Sequence, residues 1–326
     1  MPRSLPVTGL AFIFPGQGSQ AVGMGRPLAE ASAAAAAVFE AADAALGEPI
    51  SRLAWDGPAE ELDRTENAQP ALLATSIAYL AALRERWAAL GIDAPAPDFA
   101  AGHSMGQYSA LVAAGAISLA DGVRLVRERG RLMQGSGGAG AMAAIIGLDD
   151  GSIPHLIREA SRHGVFGVAN RNAPGQVVVS GERPAIEAAA QIAKGLGAKR
   201  AIVLPVSVAA HSPLMAGAAA AMREVLATIS FHDPRPPLLA NADARPIETA
   251  EGCRAELVEH LTTGVDWVRV VGSMAASGVT TFVEVGPGRI LTGLVKRIVP
   301  DLEVVALDDP NATDRLSIPF AGVPAG

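Results

Sequence analysis

A serine flanked by two nearby glycines is the first group in this sequence that could carry out chemistry. Gly102-His103-Ser104-Met105-Gly106 fits the pattern G-x-S-x-G between a predicted strand, residues 98–102, and a predicted helix, residues 106–116. On a tight strand-to-helix turn the glycines permit a strained backbone, and the serine hydroxyl is exposed. Amides at the start of the helix favour a developing oxyanion. The pattern predicts Ser104 as a nucleophile, with a plain structural turn as the alternative.

A serine nucleophile needs a general base, and the sequence offers six histidines. His211 follows a predicted strand, residues 201–204, across a short loop and opens a predicted helix, residues 209–229. A side chain at such a strand edge is delivered to a cleft, so we expect His211 to be the base. His103 adjoins the serine but points away from it on such a turn, which predicts a packing or hydrogen-bonding role. The other histidines are predicted to be solvated or at a cleft edge: His155, His163, His232 and His260.

Two kinds of element pattern position these residues. Short apolar strands alternate with alanine-rich helices before residue 135 and after residue 205, which is typical of an α/β core with a parallel sheet. Between them the chain reads strand, helix, strand, strand, helix, strand, the order of a ferredoxin-like module. Residues 135–140 are glycine-rich and predict a flexible joint. We expect a core of residues 1–139 and 206–310, an inserted α+β subdomain of residues 140–205, and a tail of residues 311–326.

The predicted elements have the following bounds. Strands are expected at residues 9–14, 98–102, 141–146, 165–169, 176–180, 201–204, 238–240 and 280–284. Helices are expected at residues 26–46, 70–90, 106–116, 119–134, 152–163, 184–196, 209–229, 252–262 and 290–298.

Composition narrows the classes of function. A chain of 326 residues is long enough for about two domains. With 26 basic and 33 acidic side chains, the formal charge of −7 argues against nucleic acid or an anionic membrane as partner. Cys253 is the only cysteine, so no disulfide or cysteine-based metal site is expected, and the cytoplasm is the expected compartment. We recognise no signal peptide, membrane-spanning run, nucleotide-binding glycine pattern or cluster of metal ligands.

Further motifs give the sequence a specific resemblance. Residues 14–20 (FPGQGSQ) and 102–111 (GHSMGQYSAL) resemble the malonyl-CoA:acyl-carrier-protein transacylases of fatty-acid synthesis, and also polyketide-synthase acyltransferase domains. More matches follow in family order and extend the resemblance over roughly residues 10–308: residues 129–134, 140–147, 172–181, 206–215 and 284–296. The resemblance implies a hydrolase-like α/β core with a ferredoxin-like insertion, in agreement with the element pattern.

The resemblance also implies the catalytic roles. Ser104 matches the nucleophile that takes the acyl group as an ester, and His211 matches the general base. Gln17 matches the residue whose side chain helps to form the oxyanion hole, beside the backbone N–H of Met105.

Four residues are expected to contact the substrate. Arg129 matches the arginine that pairs with the free carboxylate of a malonyl group, a role that suits the two-point hydrogen bonding of a guanidinium. Met133, Asn172 and His260 are the other expected substrate contacts. The neighbouring arginines are predicted to form a solvated helix face: Arg124, Arg127 and Arg131.

Several positions depart from the common family pattern. Gln107 stands where glutamate is frequent, and His260 stands where glutamine is frequent. The family uses the backbone carbonyl at the latter position to orient the catalytic histidine, and a carbonyl survives any substitution. Residues 264–267 (GVDW) replace the usual proline-valine-x-tryptophan. Residues 208–210 lack the large aromatic of many malonyl-selective polyketide domains, which leaves the acyl selectivity open.

The predicted function is transfer of a malonyl group from malonyl-CoA, through a seryl ester, to the phosphopantetheine thiol of an acyl carrier protein. Malonyl-CoA enters as substrate, no bound cofactor or metal is expected, and a monomer is expected. The alternatives are a trans-acting polyketide acyltransferase with another extender acyl-CoA, a serine thioesterase or hydrolase, and a non-catalytic partner subunit. Arg129 favours a dicarboxylic acyl group, and the lack of a marked triad acid between Ser104 and His211 disfavours an esterase. The choice between fatty-acid and polyketide synthesis stays open.

Overall fold

Two β-sheets organise the chain. The computed structural model describes residues 9–136, 140–206 and 208–308. In this part of the chain the strands form one sheet of six and one sheet of five. They are β1 (Leu10–Phe14), β2 (Phe99–Gly102), β3 (Gly140–Ile146), β4 (Phe166–Ala173), β5 (Gln176–Glu182), β6 (Arg200–Val203), β7 (Leu238–Leu239), β8 (Pro246–Ile247), β9 (Val265–Asp266), β10 (Thr281–Val285) and β11 (Glu303–Leu307).

The helices cover these sheets. They are α1 (Arg26–Ala31), α2 (Ala33–Leu46), α3 (Ile50–Asp56), α4 (Ala59–Leu62), α5 (Thr65–Ala89), α6 (Gly106–Ala113), α7 (Leu119–Gly135), α8 (Ile153–Ala160), α9 (Arg183–Gly195), α10 (Ala216–Ala227), α11 (Ala250–Glu259), α12 (Trp267–Ala276) and α13 (Ile290–Ile298). Among the described residues, no helix is both long and apolar enough to cross a membrane.

The larger sheet is the core of the α/β part. Its order is β11-β10-β1-β2-β7-β8, with parallel pairs from β11 to β7 and an antiparallel β8 at the edge. Every residue of β1 is buried, which explains why its sequence is a short, uninterrupted apolar run. β1 and β2 pair through to their last residues, Phe14 and Gly102. The loops that follow them therefore meet at the carboxyl edge of the sheet, where ligands bind in open α/β sheets.

The smaller sheet has the order β6-β3-β5-β4-β9. The pairs from β6 to β4 are antiparallel, and the element order β3-α8-β4-β5-α9-β6 is the one that the sequence predicts. We propose that residues 140–205 form the ferredoxin-like subdomain and that residues 1–139 and 206–310 form the larger unit. β9 comes from the larger unit and pairs in parallel with β4, so the two units are joined through this sheet. The predicted tail, residues 311–326, and residues 137–139 of the predicted joint lie outside the described residues.

Three predicted helices differ most from the structure. Residues 26–46 form two helices, because Ser32 ends α1 and its hydroxyl caps α2 by accepting from the Ala35 N–H. The helix expected from Pro70 begins at Thr65, so that proline lies inside α5. The helix expected over residues 209–229 begins at Ala216, after a short 3-10 turn. Several elements were not predicted at all: α3, α4, α12, β8, β9 and β11.

Candidate active site

Ser104 lies at the turn between β2 and α6, where the sequence predicts it. Its φ angle of 53° is in the left-handed region, which side chains other than glycine adopt only where the surrounding structure holds them. Close packing explains the flanking glycines. A Cβ on Gly102 would lie 1.8 Å from the Gly106 carbonyl carbon, and a Cβ on Gly106 would lie 2.2 Å from the Phe14 carbonyl oxygen. The turn therefore requires the pattern G-x-S-x-G.

His211 is hydrogen-bonded to the serine. Its Nε2 lies 2.8 Å from Ser104 Oγ, and its Nδ1 lies 2.6 Å from the His260 carbonyl oxygen and 3.0 Å from the Thr263 carbonyl oxygen. Carbonyl oxygens only accept, so Nδ1 carries the proton and donates to them. This tautomer leaves Nε2 unprotonated and able to accept from the Ser104 hydroxyl. The carbonyls thus do the orienting that a carboxylate does in an esterase triad.

The surroundings keep the His211 ring neutral. Burial, and after it the nearby Arg129 charge, lower the pKa of His211 to about 3, against the opposing effect of the carbonyl acceptors. The ring is therefore in its basic form at neutral pH. The sequence predicts that His211 lies at the start of a helix. In the structure His211 instead lies in the loop before α10, with a left-handed φ of 59° that an α-helix does not contain.

Arg129, on α7, brings a buried guanidinium to the same point. Its side chain is 2% exposed, Nη1 donates to Gln69 Oε1 at 2.9 Å, and Nη2 donates to Ser104 Oγ at 3.1 Å. Burial lowers the pKa of the Arg129 guanidinium from its ordinary value. No carboxylate pairs with it within the described ranges, although a buried cation without an anion is costly. The arrangement suits a ligand that supplies the missing negative charge.

His260 is fully buried beside Arg129, which corrects the expectation of a surface or cleft-edge residue. The chain turns inward where α11 ends, and His260 Nε2 lies 3.3 Å from Arg129 Nη2. A guanidinium only donates, so Nε2 accepts, and the ring is neutral because burial and then the Arg129 charge hold the pKa of His260 well below 6.5. Three buried polar atoms here have no hydrogen-bond partner in the described part of the chain: Arg129 Nε, His260 Nδ1 and Tyr108 Oη.

The two expected members of the oxyanion hole differ. Met105 is the N-cap of α6, next to Ser104, and its N–H has no acceptor among residues 9–136, 140–206 and 208–308. The Gln17 side chain, expected to help form the hole, is exposed and donates from Nε2 to Thr65 Oγ1 at 3.3 Å. Its loop nevertheless packs against the serine turn, since a Cβ on Gly16 would lie 2.5 Å from the His103 carbonyl oxygen.

The comparison with protein families agrees with this geometry. The family described as the acyl transferase domain matches residues 11–313. The chain belongs to this acyl transferase family. It is 47% identical over 308 residues to the malonyl CoA-acyl carrier protein transacylase of Escherichia coli (strain K12), covering 94% of this chain and 98% of the relative. The protein of the same name from Bacillus subtilis (strain 168) is 44% identical, covering 94% and 95%.

Solved structures of acyl transferases have the same fold. An acyl carrier protein S-malonyltransferase from Vibrio cholerae is 43% identical, with a TM-score of 0.89 over 95% of this chain and all of that one. A malonyl-transacylase in complex with a type II polyketide-synthase acyl carrier protein is 42% identical, with a TM-score of 0.88 over 94% and 98% of the two chains. The mixed α/β fold with a parallel sheet is thereby confirmed.

The other predicted substrate contacts, Met133 and Asn172, are bonded to neighbours of the site residues and not to Ser104 itself. Met133 is buried on α7, where its Sδ lies 3.9 Å from Gln69 Nε2. Asn172, on β4, holds His103, with Oδ1 and the ring Nε2 2.8 Å apart. His103 therefore has the hydrogen-bonding role that the sequence predicts, and it links the serine turn to the smaller sheet.

The remaining histidines and arginines are mostly solvated, as predicted. His155, His163 and His232 are exposed. Arg124 and Arg131 are exposed too, whereas Arg127 is half-buried and paired with Glu48. Within the described part of the acyl transferase, no group of three or more histidine, cysteine, aspartate or glutamate side chains could hold a metal ion.

Sequence reasoning missed several residues of the site. Gln69 and Tyr108 contact Arg129, and Thr263 contacts His211. Asn241 binds the serine turn through its side chain. Only Asn241 had a usable signal, because it directly follows a predicted core strand at the edge where such residues reach the site.

Proposed function

We propose that this acyl transferase moves a malonyl group from malonyl-CoA, through an ester on Ser104, to the phosphopantetheine thiol of an acyl carrier protein. The observation that carries the proposal is the buried Arg129 guanidinium, 3.1 Å from Ser104 Oγ and without a carboxylate partner among the described residues. A malonyl thioester has one methylene between its reacting carbonyl and its free carboxylate. With the carbonyl at Ser104, the carboxylate is within reach of the guanidinium, which can bind it at two points.

The first half-reaction forms the ester. As Ser104 Oγ attacks the thioester carbonyl carbon, its proton passes to His211 Nε2, and negative charge develops on the carbonyl oxygen. The Met105 N–H donates to that oxygen, and the loop that carries Gln17 supplies the second side of the hole. The carbon–sulfur bond then breaks, and the CoA sulfur leaves with the proton from His211.

The second half-reaction reverses the roles. The phosphopantetheine thiol gives its proton to His211 Nε2 and attacks the seryl ester, and the Ser104 oxygen takes the proton back as it leaves. The base must be neutral at the start of each half-reaction, which the low pKa of His211 ensures. The His260 and Thr263 carbonyls hold the ring in the same tautomer throughout.

The other substrate contacts follow from the same arrangement. His260 and Gln69 share the Arg129 guanidinium and would orient it toward the malonyl carboxylate. Met133 adds a soft apolar wall beside Gln69, and Asn172 fixes His103 at the rim. These steps need only proton transfer and nucleophilic attack, so we infer that malonyl-CoA serves as substrate with no bound cofactor. A single buried cysteine, Cys253, fits the cytoplasm.

Relatives support the acceptor. The names of the transacylases from Escherichia coli and Bacillus subtilis give acyl carrier protein as their partner, and the solved complex contains a type II polyketide-synthase carrier. A carrier thiol also suits this site, because the thiol can attack the seryl ester with His211 as the base and needs no further catalytic group.

Intact-mass measurement tests the proposal. Brief mixing with malonyl-CoA should add one malonyl mass, which a carrier protein with its phosphopantetheine arm should then remove. Ser104→Ala should abolish the added mass because the ester oxygen is gone. Ser109→Ala, a change at a buried serine on α6, the helix that follows Ser104, serves as the matched control and should leave the added mass intact. Labelling that persists in Ser104→Ala would place the nucleophile elsewhere, and rapid loss of the mass without a carrier would indicate a hydrolase.

A further inference from the structure

One buried side chain, that of Asn241, is hydrogen-bonded to the backbone at Ser104, which has a left-handed conformation. Asn241 Oδ1 accepts from the Ser104 N–H at 2.9 Å, and Nδ2 donates to the Gly102 carbonyl oxygen at 3.1 Å. Asn241 is fully buried, so water does not compete for these bonds. One side-chain amide thus spans the two peptide groups that define the turn.

Asn241 is itself fixed from both sides of its own backbone. Its N–H donates to Glu256 Oε1 at 2.7 Å, and its carbonyl accepts from the Asp266 N–H at 2.7 Å. Glu256 is nearly fully buried on α11, and Arg245 lies 3.8 Å from its other oxygen. The amide therefore has little freedom to leave the Ser104 turn.

A second amide completes the arrangement from the opposite side. Gln107 Oε1 accepts from the Gly102 N–H at 2.9 Å, and Gln107 Nε2 donates to the Leu239 carbonyl oxygen at 3.0 Å. Both polar groups of Gly102 are thereby bonded to side chains, and the turn is tied to β7. Within the turn, the Gln107 side chain is hydrogen-bonded to Gly102 and the Asn241 side chain is also hydrogen-bonded to Ser104.

The hydrogen bonds distinguish two adjacent backbone amides. The Ser104 N–H is used by Asn241, while the neighbouring Met105 N–H has no acceptor within the described residues. We propose that Asn241 is a positioning residue for acyl transfer: it holds Ser104 in the left-handed conformation and fixes the turn so that the Met105 N–H stays aimed at the oxyanion. The inference rests on the proposed function only for the identity of the acyl group.

A probe without a malonyl group tests this role separately from the proposed function. A fluorophosphonate labels an activated serine: the Oγ–P bond forms, fluoride leaves, and the serine proton passes to the base. We expect Asn241→Ala to lower the second-order labelling rate about 10²-fold, the size of a small misplacement of reacting groups. The control is Leu83→Ala, which creates a cavity beside α5, far along that helix from Gln69. It should lower the stability of the protein without lowering the labelling rate of the folded molecules.

Malonyl transfer gives a second readout. Because the Asn241 side chain is hydrogen-bonded to the serine turn and not to Arg129, its loss should lower kcat with little change in KM for malonyl-CoA. Labelling by the fluorophosphonate within about twofold of wild type, corrected for the folded fraction, would overturn the proposal, since positioned groups are worth far more. Wild type that reacts with the probe but not with malonyl-CoA would count against the proposed function alone.

Hydrogen exchange of the wild-type amides keeps the test decisive should Asn241→Ala not fold. The Ser104 amide should exchange about tenfold or more slowly than the Met105 amide, the factor that one ordinary hydrogen bond provides. Equal exchange of the two amides would contradict the assignment.

Discussion

Two neighbouring regions of the site differ in whether their buried polar groups have hydrogen-bond partners. In the elbow, which comprises Gly102–Gly106, Asn241 and Gln107, the backbone groups that set the shape of the turn are bonded to side-chain amides. In the region that we propose as the acyl pocket, formed by Arg129, His260 and Tyr108, three buried polar atoms have no hydrogen-bond partner in the described part of the chain.

This difference indicates that the elbow sets the geometry of the reacting groups, whereas the pocket recognises the acyl group. Paired groups hold the elbow rigid before any substrate arrives, whereas unpaired buried groups cost stability and are retained where a ligand completes them. The elbow should therefore act on every acyl substrate, and the pocket should distinguish acyl groups with a carboxylate from those without one. Variants in the two regions can break or sharpen this comparison.

The largest effect is expected at the base that serves the elbow. His211→Ala should slow acylation ~10²–10⁴-fold, the usual contribution of a general base. The loss should be the same for malonyl-CoA and acetyl-CoA, because the proton transfer does not involve the acyl chain. Rapid-mixing mass spectrometry measures it, with His155→Ala as the exposed control. A loss confined to malonyl-CoA would assign His211 to recognition.

A smaller and selective effect is expected in the pocket. Arg129→Lys keeps the charge but loses the planar two-point contact, so kcat/KM for malonyl-CoA should fall about tenfold, the value of one hydrogen bond to a charged group. Acetyl-CoA should be affected little. Arg131→Lys on the exposed face of the same helix is the control. Full activity of Arg129→Lys would show that charge alone is sufficient.

Acid should destabilise the fold through its buried histidines. Burial lowers the pKa of His103, His211 and His260 below the value of about 6.5 in the unfolded chain, so the unfolded state binds more protons as the pH falls below that value. The contribution of these histidines to the free energy of unfolding should therefore be full above pH ~6.5 and decrease as the pH falls below that value, by up to ~1.4 kcal/mol per pH unit for each histidine and down to pH ~3 for His211. Urea titrations at several pH values measure this, and His260→Gln should reduce the slope, with His163→Gln at an exposed position as the control.

The smallest effect on activity is expected for His260→Gln. The backbone carbonyl that accepts from His211 remains, and a glutamine amide can accept from Arg129 in place of the ring. Transfer of malonyl should change by no more than about tenfold, the upper range for a neutral hydrogen bond. A steady-state assay of carrier malonylation checks it. Should this variant be more damaging than His211→Ala, the assignment of the base would be wrong.

Much of the elbow could be predicted from the sequence, because local rules determine it. The buried β1, the strand-to-helix turn and the glycines beside Ser104 are all encoded within a few residues. Motifs in family order then placed His211 and Arg129 at the site, although spacing alone could not choose among the arginines of α7.

The pocket could not be predicted in this way, because its contacts join distant segments. Burial of His260 depends on how α11 ends against α6 and α7, and the sequence suggested a surface residue. The predicted helix bounds were wrong where one residue interrupts a helical pattern of apolar residues. Ser32 caps a new helix, and His211 has a left-handed φ, so α10 begins after it. The exposed Gln17 side chain likewise depends on Thr65, far along the chain.

The central claim is that the buried Arg129 guanidinium, which has no carboxylate partner among the described residues, recognises the acyl carboxylate. One comparison tests this claim most directly. kcat/KM for malonyl-CoA and acetyl-CoA is measured with a carrier protein as acceptor, in wild type and in Arg129→Ala. We predict that malonyl transfer falls roughly 10–150-fold, the value of a hydrogen bond to a charged group, while acetyl transfer falls little or rises. Equal losses for both substrates would contradict the account, since Arg129 would then support the structure of the site without recognising the acyl carboxylate.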